Sequence, residues 1–227
     1  MTKDIIILGT GGNCIDILDT INDINDSKQS DIYRCIGFLD DNELKQDQEY
    51  HGVKVLGPLA SANEYEDCIF VNGIGSTHNF WNKQNIISKT GIADDKFETI
   101  VHPTASVSRL CELGRGTVVF QNVTITSNVQ IGNHVIVLPN SIISHDGIIG
   151  SYTCIAGGAC ISGFVEVGES CYIGTNATIR NNVKIGKYSL IGMGSVVLQD
   201  VPENTVVVGN PAKVIRNTIS SEKINRD

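Results

Sequence analysis

His145 is followed at once by Asp146, and eighteen residues after the histidine lies Gly163, inside Ser162-Gly163-Phe164. A carboxylate beside an imidazole orients the ring and stabilises its protonated form, which makes the histidine a usable base. Glycine leaves its backbone N–H uncovered, and a bare amide can hold the oxygen of a developing oxyanion. A proton acceptor and an oxyanion donor are the minimum equipment for acyl transfer. They work together only if the fold stacks residue 163 on residue 145. Without that stacking, His145 is a polar turn histidine, the reading that also fits His134 at a neighbouring corner and His102 further upstream.

The stacking follows from a period of six. Val101, Val107 and Leu113 begin a series in which every sixth residue from Val119 to Val197 is Val or Ile, without an insertion. Two positions before these stops, the side chains are small or β-branched, as at Ala105, Val123, Val129, Ala159, Cys171 and Val183. Two and three positions after them come turn formers such as Ser127-Asn128, Pro139-Asn140 and Asn181-Asn182. Alternation at a spacing of two puts the stop and the residue two before it on one inward face of a short strand. Asn, Asp and Gly tolerate the positive φ that a corner needs. Three strands and three corners close a triangular coil in eighteen residues, so residues eighteen apart stack about 4.8 Å from one another. A strict six does not make a helical stripe. The stretch reads as a parallel β-helix, a scaffold whose chemistry must sit at corners or between chains.

Length and charge narrow the rest. A chain of 227 residues accommodates one large or two modest domains. A formal net charge of −8 argues against nucleic acid as a partner, but not against a small phosphorylated ligand held by local backbone donors. No apolar run is long enough to span a bilayer, and no N-terminal apolar leader is present. The seven cysteines are scattered, odd in number and free of C-x-x-C spacing. They read as reduced packing thiols of a cytoplasmic protein, with no metal site.

Ahead of the solenoid, Asp4 to Gly9 reads as a buried parallel strand, Gly9 to Cys14 as a glycine-rich turn, and Ile15 to Ile21 as helix. Strand, glycine turn and helix form the first unit of a doubly wound fold. The amides at the helix start are available to an anion, or the turn serves packing alone. The turn fits G-x-G-x-x-G only if Cys14 replaces the third glycine, which makes a dinucleotide a poor expectation. A second strand, Tyr33 to Leu39, ends in Asp40-Asp41, where acidic residues can accept from sugar hydroxyls or simply face solvent. Short strands at Val53–Leu56 and Cys68–Val71 follow, then a helix over 77–90. The expected organisation is a small α/β Rossmann-like domain over 1–98 and a β-helix over 99–227. A closing strand up to Gly209-Asn210-Pro211 would cap the open edge, and the last residues would fray.

These motifs together resemble the bacterial sugar acyltransferases of the left-handed β-helix (hexapeptide-repeat) superfamily, specifically those that acetylate an amino group on a nucleotide-linked sugar. The resemblance covers nearly the whole chain. It is carried by the Gly9-to-Cys14 turn, Gly37-Phe38-Leu39-Asp40-Asp41, Gly73-Ile74-Gly75, Val101-His102-Pro103-Thr104-Ala105, Ser144-His145-Asp146, the hexapeptides and Val208-Gly209-Asn210-Pro211-Ala212. It implies a left-handed solenoid, a homotrimer, and acetyl-CoA lying between neighbouring solenoids with no metal required. It also implies a UDP-, dTDP- or GDP-linked amino-deoxy sugar, such as a 4-amino-4,6-dideoxy sugar, destined for surface polysaccharide biosynthesis. His145 would be the general base, Asp146 its orienter, and the Gly163 N–H a partner for the acetyl carbonyl. Gly11, Gly12 and Asn13 would lie near phosphates or sugar, Asp40 and Asp41 near the nucleoside, and Gly75 alongside. Cys154, Thr175 and Met193 match coenzyme-contacting positions, the last two being eighteen apart and so on one corner. Two departures stand out: relatives commonly carry His-Gly where this chain has Asn13-Cys14, and often histidine where it has Cys154.

Three other readings keep the same elements. The acceptor could be a hydroxyl, as in sialic acid O-acetyltransferases with the same domain pair. A zinc hydrolase of the carbonic-anhydrase type would need a third histidine to join His134 and His145. A nucleotide-binding module fused to a trimerising solenoid would bind the nucleotide-sugar and ignore CoA.

Overall fold

The structure is a computed structural model that describes residues 2–219. The first unit is a five-stranded sheet in the order β3-β4-β2-β1-β5. Its strands are β1 (Lys3–Leu8), β2 (Tyr33–Leu39), β3 (Glu49–Tyr50), β4 (Val53–Gly57) and β5 (Ile69–Asn72). All pairings are parallel except β3 with β4. The continuous apolar run of β1 is explained by burial on both faces: Ile5, Ile6, Ile7 and Leu8 are all inaccessible. Helix α1 (Gly12–Lys28) crosses from β1 to β2 and turns Cys14, Ile17, Leu18 and Ile21 inward. The hairpin partner β3 is an addition to the sequence reading.

The helix expected over 77–90 is shorter. A 3-10 turn at Phe80–Asn82 leads into α2 (Lys83–Ser88). Asn79 explains the late start, because its side-chain oxygen accepts from both the Ser76 N–H at 2.7 Å and the Ser76 hydroxyl at 3.0 Å. That local turn competes with helical hydrogen bonding over the first residues.

From Ile100–Val101 onward the chain winds into three parallel sheets of two-residue strands. The register is the expected eighteen: Thr124 pairs with Ile142, Ile142 with Cys160, and Cys160 with Thr178. This is a left-handed parallel β-helix. The stops Val119, Val137, Ile155, Ile173 and Ile191 stack up one inner wall, all inaccessible. Where the residue two before a stop is Thr or Ser, its buried hydroxyl bonds a carbonyl of the next coil, as Thr117 to Gly132, Thr153 to Gly168 and Ser141 to Ala156. Those bonds remove the cost of an unpaired buried hydroxyl.

From residue 116 to residue 194, each corner turns on a residue in the left-handed region, three after the stop. Asn122, Asn128, Asn140, Asp146, Asn176 and Asn182 have φ between 56° and 62°, as their side chains allow. Tyr152 and Phe164 occupy the same position at φ 62° and 60°. Their rings are used, Tyr152 stacking on His134 and Phe164 meeting His145 edge-on.

The cap is a hairpin rather than a single strand. Thr205–Val208 adds in parallel to Leu190–Ile191, and Lys213–Asn217 returns antiparallel to it. The expected fraying concerns residues 220–227, which lie outside those described.

The two units share a core. Val118, Phe120, Ile136 and Cys154, which face outward from one solenoid sheet, join Ile5, Ile17, Ile21 and Phe38 in a single buried cluster. Each large side chain buried there stabilises the contact by about 2 kcal/mol. Polar pins cross the same seam. His102 takes the Thr104 N–H on Nδ1 at 3.0 Å and bonds Asp23 of α1 through Nε2 at 2.7 Å. Lys83, fully buried, donates to the His134 carbonyl at 2.5 Å.

His134 itself is buried against Phe97 and Tyr152, and burial, reinforced by Lys83, pushes its pKa down to about 4. The unfolded chain then takes up a proton between about pH 6.5 and 4 that the folded chain refuses. Stability is complete above pH 6.5 and falls as pH drops toward 4, by roughly 3 kcal/mol in all. His134→Asn, which suits the left-handed corner, should shrink the gap between melting temperatures at pH 7 and pH 5. An unchanged gap would show that His134 is not the acid-sensitive group.

Candidate functional site

Two sets of side chains hold the predicted site residues, one on a solenoid corner and one in a cleft of the α/β unit. The corner is built by register. The Phe164 N–H donates to the His145 carbonyl at 3.0 Å, and the Asp146 N–H to that of Ser127 at 3.0 Å. Residues 127, 145 and 163 are therefore successive rungs. A Cβ built on Gly163 would lie 2.6 Å from His145 Cε1 and 2.8 Å from Nε2. Only glycine admits the ring at this distance. The flanking amides of Ser162 and Phe164 are committed to the ladder, while the Gly163 N–H takes no part in it.

His145 is half-exposed, and its Nδ1 lies 2.8 Å from Asp146 Oδ2. The other Asp146 oxygen accepts from Asn128 Nδ2 at 3.1 Å, one rung away. The bond to His145 first, then that to Asn128, holds the Asp146 carboxyl below the usual carboxylate range. A carboxylate on Nδ1 requires that nitrogen to carry the proton, so Nε2 keeps its lone pair. The Phe164 ring stands edge-on to the imidazole at 5.2 Å. The corner thus offers a fixed base with the backbone of Gly163 packed against the Cε1–Nε2 edge of its ring. Around it the surface is apolar: Ile142, Ile148 and Phe164 are all exposed.

The cleft has a volume of about 510 Å³ and lies where β1, β2 and β5 end. Gly11, Gly12, Asn13, Asp40, Asp41 and Gly75 all line it. Gly11 caps α1 with no side-chain hydrogen bond, and no acidic residue occupies the first turn, which leaves amides facing open space. A Cβ at Gly11 or Gly12 would touch nothing within 4 Å.

Asn13 is less free than expected, because its Nδ2 donates to the Gly75 carbonyl at 3.2 Å. It ties the helix start to the loop after β5. Cys14 is buried, bonds the Leu8 carbonyl, and has its thiol pushed up to about 12 by burial. It is a packing residue at pH 7. Asp41 accepts the Leu59 N–H at 2.9 Å. For Asp40, partial burial works upward, but the Thr10 hydroxyl, the Asn42 amide and Lys45 outweigh it and hold the carboxyl below its ordinary range.

Cys154 lies apart from the other two positions expected near the coenzyme. Thr175 and Met193 do share an exposed corner, linked by the Gly194 N–H to the Thr175 carbonyl at 2.8 Å. Cys154 does not join them. It faces outward from a strand, but the α/β unit covers it, with Lys83 Nζ 3.7 Å from its sulfur. A Cβ on Gly75 would lie 2.5 Å from that sulfur, so Cys154 backs the cleft. Nor does a single chain bring His145 into the cleft, whose lining does not include it. Lys83, Lys45 and Asn79 escaped the sequence reading, since their positions follow from long-range packing and no motif marks them; Thr10 lies inside the glycine turn but was given no role of its own. Among the described residues, no three His, Cys, Asp or Glu side chains converge as a metal site would need. No described helix is long and apolar enough to cross a membrane.

Residues 4–90 match the PglD N-terminal domain, and residues 164–199 match the bacterial transferase hexapeptide (six repeats). The acetyltransferase domain of PglB from Neisseria gonorrhoeae FA1090, solved with acetyl coenzyme A, superposes with a TM-score of 0.82 at 25% identity, covering 95% of this chain and 100% of that one. WeeI from Acinetobacter baumannii AYE gives 0.78 at 25% identity, covering 94% and 100%. PerB from Caulobacter crescentus, solved with CoA and GDP-perosamine, shares the fold at 0.79 and 24% identity, covering 95% and 98%. No curated protein sequence matches the chain.

The Asn13-Cys14 pair has a physical counterpart at Gly73. A Cβ there would fall 2.5 Å from Cys14 Sγ and 3.1 Å from its Cα, so Gly73 and Cys14 form a matched pair. Gly73→Ala should destabilise by about 1–3 kcal/mol, seen as a lower urea midpoint. Adding Cys14→Gly should recover part of the loss. A double variant no better than the sum of its parts would sever that coupling.

Proposed function

From an acyltransferase that joins a PglD-type N-terminal domain to a left-handed hexapeptide β-helix, we propose an acetyl-CoA-dependent sugar N-acetyltransferase. The acceptor is the amino group of a nucleotide-linked amino-deoxy sugar, a 4-amino-4,6-dideoxy sugar, acetylated in the cytoplasm for surface glycan biosynthesis. One observation carries the reading: an imidazole held on Nδ1 by Asp146, with the backbone of Gly163 close against its Cε1–Nε2 edge. Similarity to PglB, solved with acetyl coenzyme A, and to WeeI at 25% identity supports the donor and the fold.

The division of labour follows the two units, residues 1–98 holding the nucleotide-sugar and residues 99–227 the coenzyme and the chemistry. The cleft's amides at Gly11 and Gly12 take phosphate or sugar oxygens, Asp41 and Asp40 face the nucleoside, and Gly75 and Asn13 border the sugar. Thr175 and Met193, exposed on one corner, form a wall for the coenzyme. Cys154 acts from behind Gly75 rather than on that wall. Because His145 and the cleft do not meet within one chain, the complete site is assembled by a homotrimer. The exposed Ile142, Ile148 and Phe164 beside His145 supply an apolar surface for that contact.

In the reaction, the sugar amine attacks the thioester carbonyl while His145 Nε2 accepts its proton. Asp146 stabilises the imidazolium as it forms, and the Gly163 N–H receives the oxyanion. The tetrahedral species then collapses, the imidazolium giving its proton to the departing sulfur, so that CoA leaves as its thiol, His145 is regenerated and no acyl-enzyme is needed. A positioned base contributes about 10²–10⁴ in rate.

His145→Ala should reduce kcat by a factor in that range and leave the melting temperature close to wild type. Acetyl-CoA consumption with UDP-, dTDP- and GDP-linked 4-amino sugars would read it, with free sialic acid as the hydroxyl control. Wild-type turnover by the variant removes His145 from the chemistry, and activity on sialic acid alone replaces the amine acceptor by a hydroxyl. Asp146→Asn keeps a residue suited to the left-handed corner and should cost roughly tenfold, less than the loss of the base itself. Equal losses in the two variants would mean that Asp146 does more than orient.

A further inference from the structure

We propose that Lys45 is the counter-charge for the diphosphate of the cleft's ligand, held ready by Thr10 and Asp40. The inference rests on the nucleotide-sugar reading above and adds a residue that no motif marks.

The cleft lining contains two carboxylates, Asp40 and Asp41, and no Lys, Arg or His side chain. The chain as a whole carries −8. A diphosphate entering such a cleft meets like charge on its walls, and uncharged amides offset only part of that repulsion. A cation within reach would offset the rest.

Lys45 stands there. Its ammonium donates to Thr10 Oγ1 at 2.7 Å and lies 3.4 Å from Asp40 Oδ2. Thr10 in turn donates to the same Asp40 oxygen at 2.5 Å. An ammonium has three donors; two are used here, and the third is left for a ligand. The side chain is 31% exposed, so it is neither sealed in nor loose in solvent. Thr10 adjoins Gly11 and Gly12, the glycines beside which a Cβ would meet only open space.

Asp40 is correspondingly occupied. Its Oδ2 accepts from Thr10 and Lys45, and its Oδ1 accepts the Asn42 N–H at 2.9 Å. Of roughly four lone-pair sites on a carboxylate, little remains for a sugar hydroxyl. Asp40 is better used as the anchor that aims Lys45, and Asp41 keeps the spare acceptor capacity. The other ammonium near the cleft belongs to Lys83, which is fully buried behind Gly75 and bound to the His134 carbonyl. It cannot reach a ligand without breaking the seam between the two units.

The test is calorimetric titration of the full chain with UDP, dTDP and GDP, and with the nucleoside of whichever binds best. Lys45→Met and Lys45→Gln should each weaken the diphosphate by about 10–100-fold and leave the nucleoside unchanged. Lys45→Arg should retain most of the affinity. Added salt should weaken wild-type binding of the diphosphate more steeply than that of either neutral variant. Equal weakening of nucleoside and diphosphate would assign Lys45 to the nucleoside or to the fold, and unchanged diphosphate binding would reduce it to a surface ion pair. Either result overturns the proposal. Wild-type protein that binds none of the three diphosphates overturns both the proposal and the reading beneath it.

Discussion

Everything in this protein depends on one hydrogen-bonded ladder between coils, which returns the chain to the same point every eighteen residues. It sets Ile143 on Ile161, Asn128 beside Asp146, and His145 beneath Gly163. No single bond in the ladder is strong, since a backbone hydrogen bond contributes only about 1 kcal/mol net. Its force is geometric. An insertion of one residue would turn an inward isoleucine outward and slide the glycine off the imidazole at the same stroke. Packing and the site geometry are thus fixed by the same register.

The second constraint is the seam between the units. A solenoid normally shows solvent a polar outer face, yet here Val118, Phe120 and Ile136 face outward and are buried under α1 and β1. The seam also carries charge and hydrogen bonds inward, through the buried Lys83 and the His102–Asp23 pair. Cys154 lies in this seam, pressed on the loop that floors the cleft. The α/β unit is therefore not a tethered accessory; its ligand loop rests on the wall of the solenoid.

Much of this was legible in the chain itself. The six-residue period announced the β-helix because each stop obeys the same burial requirement, and local turn chemistry at Asn128 or Asn140 agrees with it. The glycines of the first turn, Asp40 and Asp41 were readable because strand ends in a doubly wound sheet converge on one edge; Gly75 was marked only by the resemblance. The start of α2, the closing hairpin and the burial of Cys154 were not. Asn79 delays the helix through a side-chain turn that competes with the backbone. Lys213–Asn217 forms a strand only because the last coil offers an open edge to pair with. Cys154 looks outward by its parity along the strand, and only the presence of the other unit makes that direction an interior.

By itself, then, the amino-acid sequence determined the coil, its register and the neighbours of His145, because a repeat carries its long-range contacts in its own period. It also determined which residues gather at the edge of the first sheet. Tertiary structure alone decided how the two units meet: the seating of Lys83 and Cys154 behind Gly75, the spending of Asn13 on that loop, and the bracing of Lys45 by Thr10 and Asp40. Those contacts join residues without periodic relation, so nothing local encodes them, and they follow only from the shapes of two finished surfaces brought together.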